Sequence, residues 1–187
     1  MRDTEPVELE AGPFRLRPGR PNDAQAALEM SQDPDIVQWY STGVEDLETA
    51  ERWLRSGSDW SGGGHATWVV VDAADRLVGN FSLVNIDRVH QCCAQVSYRT
   101  APWARRQGVA SAALRAVTRW AYDDLRLERL ELPHAVANPA SCRVAEKSGY
   151  LLEGLQREGY RDDTGRRWDS HLHARLAHDP DDLSPTR

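Results

Sequence analysis

Apolar and polar positions divide the chain into segments of two periods. Phe14 and Leu16 alternate with Arg15 and Arg17, the period-two signature of a strand, and Pro18 stops it. Asn22 or Asp23 then caps a helix to about Met30, and Asp33 opens a second to Tyr40 with Pro34 in its first turn. Asp46 opens a third to about Arg55, with Leu47, Ala50 and Leu54 on one stripe. Beyond a Gly/Ser-rich loop at 56–64 that holds Trp60, strands are predicted at 66–71, 77–86 and 92–99. The turns between them, 72–76 and 87–90, are short enough for an antiparallel meander. From about Gln107 to Leu125 the period becomes 3.6: Val109, Ala113, Leu114, Val117, Trp120 and Ala121 form a buried face, and Arg115, Arg119 and Asp123 lie opposite. A strand at 129–136, a helix opened by Asn138, and strands at 151–158 and 167–175 complete the order β-ααα-βββ-α-β-α-ββ. That order predicts an α+β domain, helices on a mostly antiparallel sheet, with one parallel right-handed crossover through the long helix.

At 187 residues the chain suits one domain, placed at 13–176. The stretches 1–12 and 177–187, acidic and without period, are expected to be frayed. No apolar run reaches membrane-spanning length and the start lacks a signal-peptide core, so a cytoplasmic location is the default and no membrane partner is expected. Cys92, Cys93 and Cys142 are odd in number and show no metal-ligand spacing; reduced thiols are expected, with neither a disulfide framework nor a zinc site. The net charge of -6 disfavours nonspecific nucleic-acid binding and suits a cationic amine, while leaving room for a local basic groove at Arg99, Arg105 and Arg106.

The chemistry concentrates at 98–111, where a strand ends in a basic turn that opens into the long helix. First-turn amides of a helix lack carbonyl partners and sit at the positive end of its dipole, so they can hold a phosphate. Gly108 and Ala110 keep bulk away, and Arg105 and Arg106 supply charge. One helix and one strand later comes 138–150, in which Asn138 caps, Pro139 occupies the first helical position and Gly149 stops the helix. Leu152, Glu153 and Gly154 follow.

These three segments, in this order, resemble the coenzyme-binding core of the GNAT acetyltransferase superfamily, in particular its RimJ/RimL-like branch. The resemblance covers roughly 98–175; the first half of the chain matches only in pattern. It implies a mixed, mostly antiparallel sheet of six to seven strands, helices on both faces, and a splay between the strands flanking the coenzyme helix. It also implies acetyl-CoA as cosubstrate and an amine acceptor, a protein N-terminus or a small molecule, with a homodimer as the common assembly. Coenzyme contacts then fall on Val96, Ser97 and Tyr98, on Arg105, Arg106, Gln107, Gly108, Val109, Ala110 and Ser111, and on Asn138, Ser141, Arg143 and Lys147. Ser141 is the candidate to protonate the departing sulfur, and a backbone amide at 96–98 the candidate oxyanion donor. Glu158, His134 or Asp169 would take the amine proton; the family's glutamate lies one residue from Glu158, at Gly159.

Two departures stand out. Arg106 occupies a position where the family commonly has glycine, and Pro133, which has no amide proton, falls inside a predicted central strand. A strand gap beside Pro133 and a misplaced strand boundary explain the second equally well. Trp103, Trp120 and Trp168 are candidates for pocket lining or for core. The rival readings are a noncatalytic acyl-CoA-sensing or protein-interaction module and, more remotely, a nucleotide-binding protein, for which the Lys-Ser/Thr ending of a phosphate loop is missing.

Overall fold

A computed structural model describes residues 5–40 and 43–180. The strands are β1 (Leu9–Ala11), β2 (Phe14–Arg17), β3 (His65–Val71), β4 (Leu77–Asp87), β5 (Cys93–Thr100), β6 (Arg129–Ala135), β7 (Leu151–Arg161) and β8 (Arg167–Leu176). The helices are α1 (Ala24–Ser31), α2 (Pro34–Trp39), α3 (Leu47–Gly57), α4 (Val109–Asp123) and α5 (Pro139–Lys147), with 3-10 turns at Pro21–Asp23 and Pro102–Ala104. Three of the four expected caps form: Asp33 accepts from the Ile36 amide, Asp46 from that of Thr49 and Asn138 from that of Ser141, whereas Asp23 at the start of α1 makes no cap bond and turns its carboxylate to Arg17 and the Arg20 amide.

One sheet runs in the order β1-β2-β3-β4-β5-β6-β8-β7, antiparallel except for β5 and β6. It has eight strands, one beyond the expected range. The addition is β1, inside a stretch expected to be frayed, where Leu9 pairs with Leu16 and Ala11 with Phe14. Residues 1–4 and 181–187 lie outside the described set, while Ala177 extends the β6–β8 ladder by one step, its amide donating to Glu128 O.

Helices cover both faces. On one, α4 buries Val109, Ala113, Leu114, Val117 and Ala121 against Leu16, Phe81, Leu83 and Leu130. Trp60 and Trp120 each meet Trp68 edge to face at 4.7 and 5.2 Å and are tilted against each other at 5.9 Å, so Trp120 and the loop residue Trp60 belong to the core. On the other face α1, α2 and α3 enclose Val69, Val71, Leu77 and Ala101. Among the described residues no helix is long and apolar enough to cross a membrane.

The sheet splits at its one parallel junction. Register between β5 and β6 holds at Cys93 with Arg129, Ala94 with Leu130 and Gln95 with Glu131, and then ends although both strands continue. Backbone groups alternate sides along a strand. Because the Val136 amide donates to Asp169 O on β8, the nitrogen of Pro133 faces β5, beyond the last paired residue. Pro133 therefore lies within the strand, and its missing donor falls at the gap.

Candidate functional site

The gap opens beside the turn that begins α4. The Pro102–Ala104 turn leads to Arg106 at φ 65°, then Gly108 at φ 81° as N-cap. This double left-handed bend aims the chain's amides outward. Among the described residues, no protein acceptor meets the amides of Gln107, Gly108, Val109, Ala110 or Ser111. A Cβ built on Gly108 would touch nothing within 4 Å, so the space above the turn is open. For Arg106 the left-handed conformation costs roughly 1–2 kcal/mol that glycine would not incur; its side chain is exposed. Arg105 departs from the expected role: its guanidinium binds Asp33 and Asp35 at the start of α2, tying the turn to the opposite face instead of pointing toward a phosphate.

Two further pieces border the gap. Ala101 donates to Val78 O, which turns the backbone groups of odd-numbered β5 residues toward β4 and those of even-numbered ones toward β6. The Tyr98 amide therefore faces the gap past the last β5–β6 pair, whereas Ser97 is committed to Ser82 on β4, which removes its backbone from the candidate donors. Tyr98 also stacks on Phe81 with ring centres 5.9 Å apart and donates its hydroxyl to Ser141 O at 3.4 Å. Burial pushes the Tyr98 phenol up to about 12, so it keeps its proton. Ser141 lies at the start of α5, and its own hydroxyl has no partner among the described residues. Asn138 uses its side-chain oxygen as the cap, 3.3 Å from the Ser141 amide. Arg143 and Lys147 are exposed and unpaired among the described residues, free to meet solvent or a ligand.

The expected proton acceptors fare differently. Glu158 sits at φ 52° in a β-bulge of β7, where its amide donates to Asp169 Oδ1 at 2.9 Å and its carboxylate is exposed on the hairpin. His134 is only 4% exposed, under α5, with Nδ1 2.8 Å from Ala135 O; burial lowers its pKa from 6.5. A base for an incoming amine would need access that His134 lacks. Glu153 forms a bidentate pair with Arg129 at 3.0 and 2.5 Å, fixing the bulge in β7, and that pair lowers the Glu153 carboxyl.

This chain belongs to the GNAT acetyltransferase family. The family model described as "Acetyltransferase (GNAT) domain" matches residues 14–151, most of the chain. Among curated relatives, the "Putative ribosomal N-acetyltransferase YdaF" of Bacillus subtilis is 36% identical over 83 residues, 44% of this chain and 45% of that protein. The ribosomal-protein-serine acetyltransferase of Escherichia coli is 29% identical over 95 residues, 51% and 52% of the two chains. The spermidine N(1)-acetyltransferase of Vibrio cholerae is 29% identical over 87 residues, 46% and 50%. The chain spans about half the length of these curated relatives. In fold it is similar to Mycobacterium smegmatis RimJ in complex with CoA-disulfide, with TM-score 0.82 and 21% identity over 93% of this chain and 90% of that one. The RimJ/RimL-like resemblance of the GNAT motifs is thus matched by relatives of that branch.

Sequence reasoning missed what lies on the α1–α3 face of this GNAT domain. Arg99, next to Tyr98 but facing the other way, is 7% exposed. Its Nε donates to Asn80 Oδ1 at 2.7 Å, and its Cζ lies 4.7 Å from the Tyr40 ring centre and 4.9 Å from that of Trp53. Both Nη atoms are buried without a hydrogen-bond partner among the described residues, and burial lowers this guanidinium to about 10. Close by in sequence, Trp39 meets Tyr160 and Trp168 edge to face at 6.2 and 5.6 Å, and the Tyr160 hydroxyl donates to Trp39 O. The tip of the β7–β8 hairpin thereby closes onto the end of α2. Trp168 is part of this wall, whereas Trp103 is anchored to Leu77 O at 3.0 Å between the two cores.

Proposed function

We propose that this protein transfers the acetyl group of acetyl-CoA to a primary amine by direct attack within a ternary complex. The observation that carries the reading is the coincidence, at one place, of unpartnered amides at the mouth of α4 and the opening between β5 and β6. The amides of 107–111 and the helix dipole would hold the coenzyme's diphosphate. The coenzyme arm would then follow β5 where its ladder has ended. The Tyr98 amide would donate to the thioester oxygen as charge develops there. As the amine nitrogen bonds to the carbonyl carbon and the C–S bond breaks, the Ser141 hydroxyl, beside Tyr98, would pass a proton to sulfur and regain one from the water that takes up the amine's proton. With His134 enclosed and Glu158 out on the hairpin, the amine proton would leave through water.

For the acceptor, Arg99 favours a protein N-terminus over a polyamine. Two buried guanidinium NH2 groups suit peptide carbonyl or carboxylate oxygens, and their charge would oppose a polycation. Self-association would use β7, an edge strand of 11 residues on which Leu151, Leu152 and Leu155 are 55–57% exposed. Light scattering on a size-exclusion column should give a dimer mass, and a monomer mass for Leu155→Glu.

Calorimetric titration with acetyl-CoA tests the first step, and thiol release with DTNB against N-terminal peptides and spermidine tests the second. Saturable binding with peptide-dependent turnover is expected. Absence of binding would overturn the coenzyme reading. Binding without turnover of any amine would leave the acyl-CoA-sensing module in its place.

A further inference from the structure

Beneath α5, three imidazoles and a thiol converge. His134 on β6 is directly opposite His171 on β8, and His173, two residues further, shares that face. From above, α5 lowers Cys142 onto them. One ligand atom from each of these four residues lies within 4.8 Å of all the others. Cys142 Sγ is 3.6 Å from His173 Nε2; the His134 and His173 rings stack at 5.3 Å, and His171 stands edge-on to His134 at 5.5 Å.

Burying polar nitrogens against one another without partners is unfavourable, yet His134 Nε2 and His171 Nδ1 are both buried and have none among the described residues. On His134 and His173 the outer ring nitrogen is already oriented: His134 Nδ1 meets Ala135 O at 2.8 Å and His173 Nδ1 meets Tyr150 O at 3.2 Å. When each Nδ1 carries the hydrogen and donates it to its carbonyl, each Nε2 presents a lone pair to the centre. Metal-ligating histidines are commonly held in this way, by a backbone carbonyl on the far side of the ring.

We propose that His134, Cys142, His171 and His173 form a structural zinc-binding site that fastens the first turn of α5 to strands β6 and β8. Three nitrogens and one thiolate are a tetrahedral donor set, and four protein ligands leave no open position for catalysis. Zn–N and Zn–S bonds of about 2.0–2.3 Å put ligand atoms roughly 3.5 Å apart, so the present cage must contract by about 1 Å. Cys142 and His171 are partly exposed and can make that adjustment. Glu146, whose Oε1 is 3.5 Å from Cys142 Sγ, is the neighbouring carboxylate that competes for the thiol's proton or the metal. Because Ser141 immediately precedes Cys142, the metal would hold that hydroxyl at the gap through the helix, without touching substrate.

The test uses the full chain, purified without a metal-affinity tag and stripped of metal, and needs no acetyl-CoA. Co2+ is titrated in as a spectroscopic probe, followed by competition with Zn2+. The expected result is one equivalent per chain, with a thiolate-to-cobalt charge-transfer band, visible absorption of tetrahedral intensity, and displacement by Zn2+ that raises Tm. Cys142→Ala should abolish the charge-transfer band. His171→Ala, at a partly exposed position, should weaken zinc binding at least tenfold while circular dichroism stays unchanged. Uptake well below one equivalent, or uptake the same in both variants as in the parent, would overturn the site; the second outcome would assign binding to surface histidines.

Discussion

Arg17 and Arg99 are both buried arginines on strands, at 1% and 7% exposure, and their surroundings are opposite. Arg17 has every nitrogen engaged: Nη1 and Nη2 grip Asp23 at 2.8 and 2.9 Å, Nε reaches Asp75 at 3.0 Å, and Nη1 also meets Pro18 O. The Asp23 contact, foremost, raises its pKa. Arg99 has one amide oxygen and two aromatic faces, and burial lowers its pKa. A guanidinium satisfied by its own chain belongs to the architecture, since it joins β2 to the start of α1 and the β3–β4 turn. One left with idle donors among the described residues contributes less to the architecture than its burial suggests.

The contrast is sharpest in stability. Arg17→Met should cost about 3–5 kcal/mol in chemical denaturation, because Asp23 would remain buried without its cation. Arg99→Met, which removes idle donors but also the Nε donor to the buried Asn80 Oδ1, should cost about 1–2 kcal/mol. Equal losses in the two variants would erase the distinction. A smaller effect separates the two substrates: Ala110→Glu puts a carboxylate at the mouth of α4, where the helix dipole tolerates it but a diphosphate does not. Its acetyl-CoA Kd should rise by roughly thirtyfold, on the order of 2 kcal/mol, with Tm unchanged or slightly higher. Arg99→Met should leave that Kd alone and raise the peptide KM by about tenfold, ~1.4 kcal/mol. If it instead weakened coenzyme binding, Arg99 would belong with the turn.

The smallest effect is in acid. Hydrogen bonding to Arg17 holds the Asp75 carboxyl below its ordinary 3.8, so its contribution is present above that pH and is lost as pH falls through the lowered folded value. The Tm difference between the parent and Asp75→Asn should therefore narrow toward zero in strong acid. Arg99 has no carboxylate partner among the described residues and should show no counterpart.

What could be read from the chain beforehand follows the same division. Features made by contiguous backbone were legible: the turn before α4, the Asn138 cap with Pro139, the apolar face of α4, and the succession of helices and strands along the chain. The short β1 was hidden because its alternation spans only Leu9 to Ala11 in an acidic stretch. Side chains that meet across the fold were not legible. Arg105 looked like a phosphate ligand until Asp33 and Asp35 closed on it from 70 or more positions away. The two histidines spaced by one residue on β8 were a usable signal, since both must share a face, but their completion by His134 and Cys142 needs three elements in register. Arg99, flanked by candidates for the coenzyme, was read only as groove charge because its aromatic neighbours come from α3 and the end of α2.

Pro133 carries a consequence of its own. Two parallel strands that part company midway would normally be drawn back together, each new contact adding a bond, until the slit zipped closed. A residue that has nothing to donate interrupts that sequence at its first steps, so the wedge between the half-sheets persists when empty and a guest need not pry it apart.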